Sequence, residues 1–232
     1  MKRTNKGSSA RPSKAKQGLD QVSELTTNRL SVYLRCLNQL EGAGVRTISS
    51  RALADQFHLN AAQIRKDLAY FGEFGVRGVG YYVRDLKRHL RQILGLDRKL
   101  RVAIIGAGNL GLALADYPGF RQEGFEIAAL FDNLKEKVGH HSKGGVPIYD
   151  IHDLKKLVRH DGISIAAVAV PEESAQPVLD LVVASGIKAV LNFSPGALQV
   201  PPDVKLKSVD LTVSLESLSF YLARGGSDVE QK

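Results

Sequence analysis

Residues 101–116 read Arg-Val-Ala-Ile-Ile-Gly-Ala-Gly-Asn-Leu-Gly-Leu-Ala-Leu-Ala-Asp. An apolar, β-branched run ends in a glycine-rich turn, and the turn opens into an amphipathic helix. In Gly106-Ala107-Gly108-Asn109-Leu110-Gly111 the three glycines do different things. Gly106 permits the tight turn, Gly108 lets backbone approach a pyrophosphate, and Gly111 allows close helix–strand packing. The helix start offers unpaired N–H groups to the phosphates. A second strand ends in Phe131-Asp132, 21 residues past Gly111, where a carboxylate accepts hydrogen bonds from the adenine ribose hydroxyls. That carboxylate repels a 2′-phosphate and no Arg immediately follows it, which favours NAD over NADP.

Outward from this stretch, apolar runs alternate with helical segments, as in a doubly wound parallel sheet buried on both faces. The strands expected are RVAIIG, EIAALFD, ISIAAVAV, KAVLNF and SVDLTV, with helices at about 109–116, 150–159, 172–185 and 214–224. Val170-Pro171 and Asn192-Phe193-Ser194-Pro195 fall at strand ends. There Val170, Pro171, Asn192 and Pro195 either line the ligand crevice or simply terminate strands.

The charge is unevenly placed. Residues 1–100 carry 19 Lys/Arg against 8 Asp/Glu, whereas residues 101–232 carry 13 against 16. A polyanion partner is therefore expected for the N-terminal half only. Residues 1–25 are basic, Gly/Ser-rich and poor in large apolar groups, so a disordered tail is expected. Over 26–97 the pattern is that of a winged helix. A helix capped by Thr26 or Thr27 buries Leu30, Tyr33, Leu34, Leu37 and Leu40; a second starts after Ser49 or Ser50; a third, capped by Asn60, buries Ile64, Leu68 and Phe71. The run GEFGVRGVGYYV forms a hairpin with Arg77 near its tip, and VRDLKRHLRQILGL is a fourth amphipathic helix. Gln63, Arg65 and Lys66 are expected to face outward from the third helix, where they can read base edges or hold phosphates; Arg77 suits a minor groove.

No run of 18 apolar residues and no apolar leader is present, so a cytoplasmic protein without a membrane span is expected. The single cysteine, Cys36, reads as a small packed residue in a reducing compartment. No histidine spacing matches a metal site, and no acid, base or nucleophile stands out, so neither metal nor catalytic residues are expected. Two rivals remain open: an NAD-dependent oxidoreductase with a structural N-terminal domain, and a CoA- or nucleotide-binding module on the same core.

The runs QIRKDLAYFG, RGVGYYV, LKRHLRQILGL, GAGNLG, ALADYPGF, GGVPIYD, LNFSP and VDLTVSLESLSF, in this order over about residues 28–224, resemble the Rex family of bacterial redox-sensing repressors. The resemblance implies a homodimer that binds a palindromic double-stranded DNA operator when the NADH/NAD ratio is low and is released by NADH. It implies domains at 26–97 (winged helix), 98–210 (Rossmann, NAD(H)-binding) and 211–232 (a C-terminal helix exchanged between subunits, with its tail). It also implies switch residues: Tyr117 and Asp210 exchange partners on NADH binding, and Arg35 links the DNA-binding domain to the swapped segment.

Overall fold

The computed structural model describes residues 22–225. The expected basic tail lies almost wholly outside the described residues, as do residues 226–232. The chain divides between Asp97 and Arg98 into two compact units, each built on its own apolar core.

The first unit runs α1 (Glu24–Gly42), β1 (Thr47–Ile48), α2 (Ser50–Phe57), α3 (Ala61–Phe71), β2 (Gly75–Val76), β3 (Gly80–Tyr82) and α4 (Val83–Ile93). Neither Thr26 nor Thr27 caps α1. Ser23 does, accepting from the Thr26 amide at 3.2 Å, while the Thr27 hydroxyl turns back to the Glu24 carbonyl. Ser49 and Asn60 cap α2 and α3 in the same way. The expected α1 stripe is buried and meets Leu53, Ile64, Leu68, Leu86 and Leu90 in one core. Cys36 belongs to that core, where burial pushes its thiol above the ordinary value, which leaves it little thiolate to react with. Strands β1, β3 and β2 form a small antiparallel sheet, and Arg77 sits exposed in the Val76–Val79 turn at the hairpin tip.

The second unit contains β4 (Leu100–Ile105), α5 (Asn109–Ala115), α6 (Pro118–Gln122), β5 (Phe125–Asp132), β6 (Ile148–Asp150), α7 (Leu154–Asp161), β7 (Ile163–Val168), α8 (Glu172–Ala184), β8 (Ala189–Asn192), β9 (Lys205–Ser208) and α9 (Leu211–Gly225). All strand pairs are parallel, in the order β6-β5-β4-β7-β8-β9. The direction of winding reverses between β4 and β7, the position where ligands enter such sheets. The unit is therefore a Rossmann-like α/β layer structure.

Its two faces are covered unequally. Ala103, Ile105, Phe131 and Val168 pack under Leu154 and Val158 of α7 and Leu179 and Val182 of α8. Among the described residues the opposite face has only the short α5 and α6, which leaves an apolar recess of about 130 Å³ lined by Val102, Ile104, Phe120, Phe125, Ile127 and Phe193 among others.

One expected strand is absent. Of SVDLTV only Ser208 belongs to a strand, and Leu211 already starts α9. Val209, Leu211 and Val213 alternate as in a strand, but the Asp210 carboxylate accepts from the Thr212 amide at 2.8 Å and the Val213 amide at 3.4 Å. This is an N-cap, and it draws the segment into a helix. The helix expected at 150–159 is likewise a 3₁₀ turn (Ile151–Asp153) followed by α7. The short β1, β6 and α6 have no counterpart in the sequence pattern.

Candidate functional site

The sequence places a glycine-rich turn where β4 ends, and there the chain forms a cleft of about 660 Å³. Gly106, Gly108, Asp132, Val170 and Pro171 line it, so the ends of β4, β5 and β7 converge as the motif requires. A Cβ on Gly111 would collide with the Gly106 carbonyl oxygen; here helix and turn touch. Gly108 differs: its φ is −83°, and a Cβ there would meet nothing within 4 Å. Neither strain nor a protein neighbour demands glycine at 108, so the open volume above it fits a ligand's approach to backbone. A Gly108→Thr variant should fold with unchanged thermal stability yet bind NADH roughly tenfold or more weakly; equal affinity by nicotinamide fluorescence would remove the pyrophosphate from this position.

Asp132 ends β5 at the wall of this cleft. It is 8% exposed, and its carboxylate accepts from the amides of Ala107 (2.8 Å) and Leu134 (3.0 Å) and from the Lys137 ammonium (3.1 Å). Burial alone raises its pKa, but these three donors outweigh burial and hold it below the usual carboxylate value. Asp132 is thus an ionised acceptor at pH 7, tied to the glycine turn by the Ala107 amide. Asn109 and Leu110 are exposed at the start of α5.

Asn192 and Pro195 stand differently. Asn192 is fully buried; its amide donates to the Ser194 carbonyl and the Ser208 hydroxyl and accepts from the Ser194 amide. Its polar atoms are spent on holding the β8 end, and Ser194 in turn donates to the Val170 carbonyl at 2.6 Å. Pro195 is exposed next to this clamp and, like Asn192, does not line the cleft.

On the first unit Arg65 and Lys66 project from the exposed face of α3, with Arg65 donating to the Ser50 hydroxyl at 3.0 Å. Gln63 does not face outward with them. It is half-buried and donates to Asp67 at 2.7 Å. Asp67, 4% exposed, also accepts two bonds from Arg29 (2.6 and 2.8 Å) and one from the Tyr33 hydroxyl (2.9 Å). This network fastens α1 to α3. Asp67 lies three residues beyond Ile64, on the buried stripe, and a carboxylate in that position was the available sign of a buried partner.

Of the residues that the resemblance names as the switch, Arg35 belongs to the first unit and Tyr117 and Asp210 to the second. Arg35 is exposed on α1, Tyr117 is 56% exposed against Phe120 at the start of α6, and Asp210 caps α9. No hydrogen bond joins Tyr117 to Asp210 among the described residues. Beside Tyr117, the Asp116 carboxylate accepts from the Ser142 hydroxyl and the Gly144 amide, which fixes the loop between β5 and β6.

Comparison with known proteins gives the same division. Residues 21–69 match the family model described as "Putative DNA-binding protein N-terminus", and residues 97–196 match "CoA binding domain". The chain is 52% identical over 202 residues to the redox-sensing transcriptional repressor Rex of Syntrophomonas wolfei, covering 87% of this chain and 96% of the relative. It is 46% identical over 199 residues to that of Desulfitobacterium hafniense, covering 86% and 94%. Among solved structures, RSP in complex with β-NAD⁺ and operator DNA is similar with a TM-score of 0.84 at 39% identity, over 88% of this chain and 94% of that one. RSP in complex with β-NADH gives 0.79 at 37% identity, over 91% and 99%. Because these likenesses run through both units and nearly the whole of each relative, the chain belongs to the Rex family of redox-sensing transcriptional repressors.

Proposed function

We propose that this chain is a DNA-binding transcriptional repressor, not an enzyme, that binds palindromic operators as a homodimer, senses the NADH/NAD ratio and is released by NADH. The observation that carries this is the pairing, in one chain, of an exposed basic recognition helix with a dinucleotide crevice whose Gly108 is open and whose Asp132 is ionised. Among the described residues no helix is long and apolar enough to cross a membrane, and the cytoplasm, where operator and nicotinamide pool meet, is the proposed location.

The homodimer is built by exchange of α9. Leu211, Leu215, Leu218 and Leu222 follow at i, i+4, i+7 and i+11, and each is 59–78% exposed. A helix so apolar along one stripe requires a partner surface, and the thinly covered sheet face offers an apolar one. In this reading Arg35, Tyr117 and Asp210 find their partners across the dimer. NADH then shifts the population between a geometry that matches successive major grooves and one that does not; a shift from 1:99 to 99:1 takes ~5.5 kcal/mol of differential binding.

Titrating NADH, NAD⁺ and NADPH into the protein on a labelled palindromic duplex at fixed salt tests the reading. Release by NADH is expected, and absence of DNA binding at any salt would overturn it. Arg65→Ala should weaken operator binding by about 1–3 kcal/mol without altering NADH affinity. An equal loss of both affinities would contradict a base- or phosphate-contacting role for Arg65. The match to the CoA-binding model favours a second occupant of the same crevice, and a parallel titration with coenzyme A tests it directly.

A further inference from the structure

Lys137 is the one lysine or arginine lining the cleft among the described residues. It reaches the cleft through a local fold-back. Its backbone amide donates to the Leu134 carbonyl at 3.0 Å, as does that of Val138 at 3.3 Å, so the chain makes a single helical turn after β5. That turn brings the ammonium to 3.1 Å from Asp132 Oδ2. The carboxylate cannot turn away, because its two oxygens are held separately by the amides of Ala107 and Leu134. Lys137 is the movable member: its side chain is 32% exposed, against 7% for Asp132.

The cation bears on ligand choice, an inference that rests on the reading of this cleft as a dinucleotide site. In such units the acidic residue at the end of the second strand excludes a ribose 2′-phosphate, and a nearby cation accommodates one. A cation is indeed absent from position 133 but arrives at 137, against the same carboxylate oxygen. We propose that Lys137 is a specificity-determining residue: it is the cation on which a ribose 2′-phosphate is read, and Asp132 suppresses that reading by pairing with it. An ammonium is a strongly hydrated point charge well suited to a phosphate monoester. Toward a neutral ribose diol it contributes far less, so the pair should set the ratio of the two affinities more than either affinity alone.

The test titrates NADH and NADPH, by reduced-nicotinamide fluorescence at fixed ionic strength, into the full chain and its Asp132→Ser, Lys137→Gln and double variants. Asp132→Ser should move the NADPH-to-NADH affinity ratio toward NADPH by about tenfold or more. In Asp132→Ser, Lys137→Gln that gain should vanish, while Asp132→Ser, Lys137→Arg should keep most of it. Added salt should erode the gain, as screening requires. A gain that persists without Lys137, or no gain in Asp132→Ser despite retained NADH binding, overturns the proposal. Failure of both dinucleotides to bind the unsubstituted chain overturns the reading of the cleft itself. Thermal melts of each variant separate these outcomes from misfolding.

Discussion

Replacing Leu215 and Leu218 with aspartate should turn the dimer into a monomer. Both leucines lie on the exposed stripe of α9, at 66% and 59% exposure in the single chain. A two-fold dimer with exchanged helices buries four of them. At about 1.5 kcal/mol each, their loss removes about 6 kcal/mol of association, or about four powers of ten in the dissociation constant, before the cost of burying carboxylates is added. Sedimentation velocity at micromolar protein reads the change directly. Operator affinity should fall with it, because a single winged helix reads only half a palindrome. A variant that still sediments as a dimer would show that α9 is not the link.

Asp67→Ala should cost about 3 kcal/mol of stability in the first unit, near the lower end for breaking a buried ion pair, because Arg29 keeps 35% exposure and recovers water. Tyr33 has no such recourse: its hydroxyl is buried and loses its acceptor. The effect carries a pH signature. Burial raises the pKa of Asp67, but the bonds from Arg29, Gln63 and Tyr33 outweigh burial and hold it below the usual value. A carboxylate depressed in the folded state contributes stability that is complete above its unfolded value of about 3.9 and fades as pH falls through the folded one. Denaturant titrations at pH 7 and pH 3 should therefore show the gap between parent and Asp67→Asn narrowing on acidification. A gap independent of pH would mean that Asp67 acts through packing rather than charge.

The glycine-rich turn, the Asp132 strand end and the helix-turn-helix caps at Ser49 and Asn60 are legible in sequence because each depends on residues a few positions apart. The same locality explains the failures. Alternation over Val209, Leu211 and Val213 imitates a strand, and the cap from Asp210 reverses it. Gln63 satisfies the chemistry of base recognition, yet its amide is engaged by Asp67 in a network that begins with Arg29, 38 residues away from Asp67. Asn192 stands at the strand end that borders ligand crevices, but its amide is consumed by Ser194 and Ser208. Lys137 escapes notice in the sequence because its approach to Asp132 depends on one helical turn that the intervening residues do not advertise. Contacts between distant segments leave no periodic trace.

Gly111 and Gly108 of the phosphate turn have unequal prospects under mutation. Gly111 has no room for a side chain, so a substitution there removes the protein along with its function. Gly108 has room and ordinary backbone angles, so a substitution there leaves a folded dimer still able to hold its operator but deaf to the ligand that should release it. Such an allele is a super-repressor. Because subunits mix in a dimer, it is expected to be dominant over the wild type, silencing its targets whatever the redox state of the cell.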